Sequence, residues 1–237
     1  MGGLEVGRTA KVVAVAAGVL VALGVLAWIL VPRFMICLPV ALRGIARTGC
    51  WVTASRELGT LPGGKIYWHI DRFPDRAAAE AAKGPNGTVV ESYGKVWLFT
   101  VASDGLAQTP GARVAVVGPL PIDRDTKYTA AYMEGTFSPG MRSIVHRHSG
   151  PEAFYNLEGE ICLETPDQKI VVGPGESTFV TGDTPMQLTA IGTVVRRSLV
   201  LILHRTDHMI GAPAFGWTPK GLMRGVELRP ARHRARR

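Results

Sequence analysis

A short stretch in the second half of the chain constrains the fold most. Between Gly140 and Gly159 it carries two histidines, His146 and His148, and one carboxylate, Glu152. Side chains two residues apart on a β-strand point to the same face, so the two imidazoles are predicted to face the same way. A Ser-Gly-Pro kink follows the second histidine and can turn the next carboxylate toward them. Two histidines and one carboxylate on one side of a divalent ion form a facial triad with open positions, which is typical of non-haem iron.

The spacing of these residues resembles the first motif of the cupin superfamily. That motif reads Gly, five residues, His-x-His, three or four residues, Glu, six residues, Gly, and every position matches here. The resemblance implies a cupin-type β-barrel (a jelly roll) with a pocket inside. It also implies a bound divalent transition metal, for which Fe, Mn, Zn, Cu and Ni all occur in the family. On this basis His146, His148 and Glu152 are predicted metal ligands, and Glu152 is the predicted catalytic group, as a ligand or as an acid/base.

A second family motif is only partly present. Family members usually continue with a glycine, a turn, a metal-binding histidine and, later, an asparagine. The glycine and the turn are recognisable from Gly175 onward, but Met186 stands at the histidine position and Ala190 at the asparagine position. A thioether is a poor ligand for Mn²⁺, Fe²⁺ or Zn²⁺. Three alternatives stay open: the triad holds the ion alone, the site has lost its metal, or another histidine such as His204 or His69 joins it.

The pocket of such a fold is predicted to be shaped by apolar and aromatic side chains close to the two motifs. These are Phe154, Tyr155, Met186 and Leu188.

The remainder of the globular part has the pattern of a mainly β fold. Glycine and proline are plentiful and charged residues make up only 19% of the chain, which suits a turn-rich β fold better than a helical bundle. Short strand-like runs separated by turn residues indicate a sandwich or barrel. One short alanine-rich helical insertion, residues 76–83, is predicted between a proline and a glycine. The predicted strands are residues 65–70, 88–92, 96–101, 114–117, 128–137, 153–157, 160–165, 169–172 and 198–204.

A long apolar run lies near the N-terminus. It begins at Val12, ends at Val31 and contains no charged residue. A helix of about 20 residues spans about 30 Å, the thickness of the hydrocarbon core of a bilayer. We interpret the run as a transmembrane helix, because a cleaved signal peptide has a shorter apolar core of about 7–15 residues and a small-residue cleavage site. The predicted location is the cell membrane, with a single-pass anchor in contact with lipid. Basic residues flank both ends, so the side of the membrane stays open.

These patterns divide the chain into five parts. Residues 1–11 form a short basic tail, 12–33 the transmembrane helix, 34–62 a linker or interfacial segment, 63–207 the cupin barrel with an N-terminal extension of strands, and 208–237 a basic tail.

Charge and cysteine content add two further expectations. The formal net charge of +8 is concentrated near the C-terminus, where residues 229–237 hold five arginines. With no recognised binding module beside this charge, no nucleic-acid partner is predicted. The three cysteines are too few, and odd in number, to predict a disulfide framework. Cys162 lies in a predicted strand and is predicted to be a buried free thiol.

The sequence leaves three classes of function open. The first is a metal-dependent enzyme, dioxygenase-like or isomerase-like, that acts on a small molecule at the open metal positions. The second is a metal-free module that binds a small-molecule ligand without catalysis, which Met186 favours. The third is a structural protein held at the membrane, with the barrel as an interaction surface. Cupins often pair through sheet edges, so a homodimer is an expected assembly.

Overall fold

The computed structural model describes residues 37–221, and most of them lie in β-strands. In chain order the elements are β1 (Leu38–Pro39), a 3₁₀ helix (Val40–Ile45), β2 (Gly49–Thr60), β3 (Ile66–Phe73), α1 (Arg76–Ala82), β4 (Gly87–Ser92), β5 (Lys95–Ser103), β6 (Ala112–Leu120), β7 (Lys127–Phe137), β8 (His146–Arg147), β9 (Glu152–Glu158), β10 (Glu160–Glu164), β11 (Lys169–Val172), β12 (Ser177–Val180), β13 (Gln187–Ile191), β14 (Arg196–Arg205) and β15 (Ala212–Pro213). The prediction of a mainly β fold with one short helical insertion is confirmed.

The predicted transmembrane helix, residues 12–33, lies outside the described residues. Among the residues that are described, no helix combines the length and the apolar character needed to cross a bilayer.

The strands form four sheets. The largest has six strands in the order β1-β2-β7-β14-β9-β12, and a three-stranded sheet has the order β11-β10-β13. A four-stranded sheet, β4-β5-β3-β6, is built from the N-terminal strands, and β15 and β8 form a separate pair. None of these sheets closes on itself within residues 37–221, so a closed barrel is not found there. What the structure has instead is a stack of open sheets.

The six-stranded sheet lies in the middle of the stack and has a hydrophobic core on each face. The first core joins it to the four-stranded sheet and includes Trp68, Phe99 and Tyr132. The second core joins it to the three-stranded sheet and includes Phe154 and Ile161. Because both faces are covered, β7 is buried at every position except its first residue. The neighbouring strand β14 is likewise buried from Ser198 to Leu203, so its sequence is a continuous apolar run rather than an alternation.

Strand β2 lies within the segment that the sequence predicts to be a linker. It pairs antiparallel with β7 from Gly49 opposite Thr136 to Thr60 opposite Lys127, with two register shifts along the way. Strand β1 runs parallel beside it. The N-terminal part of the described chain is therefore an integral part of the central sheet.

Two of the three cysteines are joined where β1 meets β2. Cys37 and Cys50 form a disulfide with their Cα atoms 4.6 Å apart, a separation that a disulfide spans normally. The cysteine count predicts no disulfide framework, and the structure has this single pair. Cys162 is a buried free thiol, as predicted.

Helix α1 begins where the sequence predicts and ends one residue earlier, at Ala82. The side chain of Asp75 accepts a hydrogen bond of 2.8 Å from the backbone N–H of Ala78, which satisfies one of the free donors at the start of the helix. Ala79 is fully buried and packs with Phe73 and Leu98 in a small cluster beside the four-stranded sheet.

A buried polar cluster lies in the four-stranded sheet. His69 and Asp71 on β3 are both fully buried, and Arg113 on β6 forms a salt bridge with the Asp71 carboxylate. The Arg113 guanidinium also donates to Nδ1 of His69 at 3.0 Å, and Nε2 of His69 lies 2.8 Å from the carbonyl oxygen of Ser103. Since arginine can only donate and a carbonyl can only accept, His69 is a neutral imidazole protonated at Nε2. Burial lowers the pKa of His69, which favours this neutral form.

Candidate metal centre

The two histidines and the glutamate of the first motif come together as the sequence predicts. One ligand atom from each of His146, His148 and Glu152 can be chosen so that all three lie within 4.8 Å of one another. Glu152 Oε2 is 3.1 Å from Nε2 of His148 and 3.9 Å from Nε2 of His146. Donor atoms bound to one ion at about 2.1 Å lie roughly 3.0–3.4 Å apart. The three atoms therefore suit a divalent transition metal after a small contraction.

The backbone between the ligands makes this convergence possible. His146 belongs to the short strand β8, His148 follows it, and Glu152 is the first residue of β9. The chain turns at Gly150, which packs so closely on the backbone of Leu203 that no side chain fits there. The predicted kink between the histidine pair and the glutamate is thus present, and its glycine is sterically required.

Hydrogen bonds to the far side of each imidazole orient the two rings. Nδ1 of His146 lies 2.8 Å from the carbonyl oxygen of Ile144, and Nδ1 of His148 is hydrogen-bonded to the carbonyl oxygen of Ile210. Because a carbonyl can only accept, each Nδ1 carries a proton. The remaining nitrogen, Nε2, faces the glutamate in both rings. A backbone acceptor on one ring nitrogen is the usual arrangement for a histidine whose other nitrogen ligates a metal.

Two of the converging atoms have no hydrogen-bond partner among the described residues. They are Nε2 of His148 and Oε2 of Glu152; both are buried, and they meet each other in the 3.1 Å ion pair described above. Buried polar atoms are normally hydrogen-bonded, since an unpaired one costs free energy. Nε2 of His148 and Oε2 of Glu152 are therefore available to bind a metal ion placed between them.

The protonation of the three residues reflects their burial and mutual charge. Burial lowers the pKa of the His146 imidazole. Burial alone would also lower the pKa of His148, but the nearby Glu152 carboxylate outweighs it, and the pKa is raised overall. For Glu152, burial alone would raise the pKa, yet the charges of His148, His146 and Arg196 outweigh it and the pKa is lowered. The glutamate is therefore anionic at neutral pH, as a metal ligand must be.

The position of the missing fourth histidine lies directly across from the triad. Met186 faces His146 in an isolated antiparallel bridge. Its N–H donates to the His146 carbonyl at 2.8 Å, and its carbonyl accepts from the His146 N–H at 3.1 Å. Its side chain is only 1% exposed and belongs to the second core. Met186 is therefore an apolar residue of the second core whose backbone is paired with that of His146.

The other predicted pocket residues divide between the two faces of the central sheet. Phe154 and Leu188 lie in the second core together with Met186. Tyr155 packs against the first core instead, because consecutive residues of a strand point to opposite faces. Tyr155 therefore does not line the interior that contains the triad.

Neither of the two additional histidines that the sequence leaves open reaches the triad. Both nitrogens of His69 are engaged by Arg113 and Ser103 in the four-stranded sheet. His204 is partly exposed at the end of β14 and its Nδ1 lies 3.1 Å from the carbonyl oxygen of His208. Among residues 37–221, the cluster with metal-ligand geometry consists of the triad alone.

Sequence reasoning misses the segment that orients His148. Residues 207–221, here called the strap, return to the site after β14. Within the strap, β15 pairs with β8 through Ala212 opposite Arg147 and Pro213 opposite His146, and the strap also supplies the Ile210 carbonyl. A backbone carbonyl leaves no trace in a sequence, so nothing in the pattern of the predicted tail signals this role.

Comparison with known proteins agrees with the motif. A protein-family model described as a cupin domain matches residues 133–201, which run from the middle of β7 to the middle of β14 and include the triad and Met186. No curated protein matches the sequence.

Several solved structures are similar over about a third of the chain. A cupin superfamily protein from Desulfitobacterium hafniense DCB-2 is 19% identical, with 36% of this chain and 73% of that chain covered and a TM-score of 0.30. The DMSP lyase DddQ from Ruegeria pomeroyi DSS-3 is 19% identical, with 39% and 45% covered and a TM-score of 0.33. An oxalate oxidase in complex with the substrate analogue glycolate is 18% identical, with 32% and 42% covered and a TM-score of 0.30. This chain spans less than half of each of the latter two proteins.

Proposed function

Since residues 133–201 match the family model of a cupin domain, we propose that this chain binds one divalent transition metal ion through His146, His148 and Glu152 and acts on a small molecule beside that ion. The observation that carries the proposal is the convergence of Nε2 of both histidines on Oε2 of Glu152, with each imidazole oriented by a backbone carbonyl at its Nδ1. We further propose that the chain is held at a membrane by the apolar run from Val12 to Val31.

Each residue of the triad has a distinct role in this proposal. His146 and His148 bind through Nε2, and Glu152 contributes a carboxylate oxygen or serves as an acid/base beside the small molecule. A bound divalent ion supplies Lewis acidity and open coordination positions. The Glu152 carboxylate raises the pKa of His148 despite its burial, so metal binding competes with protonation of this imidazole. A dioxygenase-like or isomerase-like reaction is the class that such a site supports.

A metal-free binding module is the alternative, and Met186 is the observation that favours it. With Met186 buried at the usual ligand position, the site presents three ligands and a wall of apolar atoms. In that case the triad residues act as hydrogen-bonding groups for an organic ligand.

The metal content of the purified chain separates these functions. The full-length protein is extracted in mild detergent without chelators, supplied with Fe, Mn, Zn, Cu and Ni salts, desalted and measured by elemental mass spectrometry. We expect about one ion per chain, and an affinity at least about 100-fold weaker in His146→Ala, since a lost ligand costs more than a lost outer contact. His204→Ala, which removes a histidine outside the site, serves as the matched control and is expected to retain the ion.

Two results contradict the proposal. A wild-type chain that takes up none of the five ions would leave the metal-free module as the function. Retention of full metal content in His146→Ala would show that the ion, if present, is held elsewhere. Membrane anchoring is tested on the cell lysate before detergent is added: a chain that stays in the supernatant after centrifugation is not membrane-anchored.

The strap provides a second prediction about metal binding. A Cβ atom on Gly211 would lie 2.9 Å from Cε1 of His148 and 3.1 Å from its Nδ1, so Gly211→Ala pushes the ring away from its carbonyl acceptor. We expect metal affinity to fall about 10–100-fold, the usual effect of disturbing the group that orients a ligand. Competition with a metal-binding dye measures it. Gly105→Ala, at a glycine with open space around it, is the control, and equal affinities in the two variants would show that the strap does not position His148.

A further inference from the structure

A second group in the second core lacks the partners that its charge requires. Arg196, the first residue of β14, is 1% exposed. Its Nε and Nη2 atoms are buried and have no hydrogen-bond partner among the described residues. Guanidinium groups are almost never fully buried without a partner, because the loss of hydration is costly unless an anion or strong acceptors replace the water.

The aromatic neighbours of Arg196 hold the guanidinium without satisfying it. Its Cζ lies 5.0 Å from the ring centroid of Phe137 and 5.9 Å from that of Phe154. Cation–π contacts of this kind attract the positive charge to the ring faces. They do not use the N–H donors, which lie in the plane of the group and remain available for a planar acceptor.

The positions beside the guanidinium carry small or polar side chains. Ser198 on β14 is paired with Gly135 on β7 and with Asn156 on β9, so the three residues form one row across the sheet. The next row toward the triad consists of the bulkier Met133, Val200 and Phe154. A Cβ atom on Gly135 would lie 3.0 Å from Nη1 of Arg196 and 3.7 Å from Oγ of Ser198. The guanidinium therefore occupies the space that a side chain at this glycine would take.

Further atoms in this row also lack partners. Oγ of Ser198 and Oδ1 of Asn156 are buried and have no hydrogen-bond partner in the described part of the chain. Asn156 nevertheless donates through its amide nitrogen, at 2.6 Å, to the carbonyl of Gly159. Unpartnered polar atoms on neighbouring residues of one row indicate a position for a polar ligand rather than a single misplaced side chain.

We propose that Arg196 is the anchor for the carboxylate group of a small molecule bound inside the second core. The planar fork of the guanidinium matches a carboxylate through two parallel N–H···O bonds, and the Ser198 hydroxyl can donate a further one. This inference rests on the proposed function, because the anchor lies close to the metal ligands. Glu152 is two residues from Phe154 on β9, about 7 Å along the strand. The same interior thus contains the carboxylate anchor and the metal ligands, and the carboxylate-bearing molecule is the substrate class of the site.

The donors beside Arg196 favour a carboxylate. The buried donors here that lack partners among residues 37–221 are Nε and Nη2 of the guanidinium and the Ser198 hydroxyl. A carboxylate places its two oxygens on the guanidinium fork. A phosphate dianion brings more acceptor atoms than one guanidinium and one hydroxyl can satisfy, so we assign the site to carboxylates rather than phosphates.

Paired probes test the assignment. Binding of acetate and of its neutral analogue acetamide to the metal-supplied full-length chain in detergent is measured by calorimetry. We expect acetate to bind the wild type more tightly than acetamide. Since acetate can also ligate a metal directly, the deciding variant is Arg196→Met, in which acetate affinity is expected to fall about 10–100-fold, the range for hydrogen bonds to a charged group. Arg197→Met, at the exposed neighbour on the same strand, is expected to bind acetate as the wild type does.

The outcomes distinguish a ligand anchor from a structural arginine. A methionine of similar volume in place of an unpaired buried charge is expected to leave the melting temperature unchanged or higher. If acetate does not bind the wild type, or binds Arg196→Met equally well, the inference is overturned. Should Arg196→Met fail to fold, Gly135→Ala decides instead, because it keeps the arginine but its Cβ atom would displace the guanidinium. Unchanged acetate affinity in that variant also overturns the inference.

Metal content, measured in the same samples, keeps this inference separate from the proposed function. A chain that holds one ion but shows no dependence on Arg196 contradicts the carboxylate anchor alone. A chain that takes up no ion, yet loses acetate binding in Arg196→Met, contradicts the metal site alone and leaves the anchor in place.

Discussion

Gly150→Ala is expected to destabilise the molecule by more than about 4 kcal/mol, a loss that few single substitutions cause. A Cβ atom at this position would overlap the carbonyl oxygen of Leu203 and lie 3.1 Å from a ring carbon of Tyr128. Leu203 cannot move aside, since it is paired with Ala130 in the centre of the six-stranded sheet and donates its N–H to Pro151 at 2.9 Å. Relief of the overlap would have to separate the His148–Glu152 turn from β14.

Denaturant unfolding followed by circular dichroism measures the effect. Gly105→Ala provides the matched control, because it introduces the same methyl group at a glycine with no atom within 4 Å and no positive φ. The control is expected to change the midpoint little. If Gly150→Ala unfolds at the same denaturant concentration as the control, the close packing of this turn on β14 is wrong, and with it the reason for a glycine between the metal ligands.

The triad was predictable because its residues are close in sequence. His146, His148 and Glu152 fall within one turn and two strand ends, so local spacing and a required kink determine much of their geometry. Met186 was located from its motif position in the same way, and the structure places it opposite His146. Where the prediction failed, as for Tyr155, the alternation of strand faces separates it from its predicted neighbours.

The parts of the fold that the sequence did not predict depend on contacts between distant residues. Strand β2 contains two register shifts against β7, and each shift interrupts the alternation of apolar and polar side chains by which a strand is recognised. The disulfide follows from the parallel pairing of β1 beside β2, which no cysteine count reveals. These contacts have a practical consequence: a fragment that begins at Leu61 lacks β2 and both disulfide cysteines, so the experiments proposed above use the full chain.

Arg196 illustrates a signal that the sequence does contain. Two arginines open β14, an otherwise continuous apolar strand, and only alternate residues of such a strand can face solvent at its end. Of two adjacent arginines, one is therefore expected to point inward. The structure shows that Arg197 is the exposed one, with a salt bridge of 3.1 Å to Glu158, and that Arg196 is buried. Which of the two points inward depends on the register of β14 against β9, which has a bulge at this place.

The largest electrostatic effect is expected in the N-terminal sheet, at Arg113. Arg113→Met leaves the carboxylate of Asp71, which is fully buried, without the guanidinium that forms its salt bridge. It also removes the 3.0 Å hydrogen bond to Nδ1 of His69. Loss of one partner of a buried pair costs about 3–5 kcal/mol because the other charge stays behind, uncompensated. We expect a loss of this size in the free energy of unfolding.

Thermal and denaturant unfolding of Arg113→Met are compared with those of Arg197→Met. The control removes the same side chain from a pair in which both partners are about half exposed, 47% and 52%, where the expected cost is below about 1 kcal/mol. Metal content of Arg113→Met at a temperature well below its unfolding is expected to equal that of the wild type, because the cluster lies in the four-stranded sheet and the triad belongs to the other core. If Arg113→Met lost metal without losing stability, the expectation that the polar cluster and the metal site are independent would be wrong.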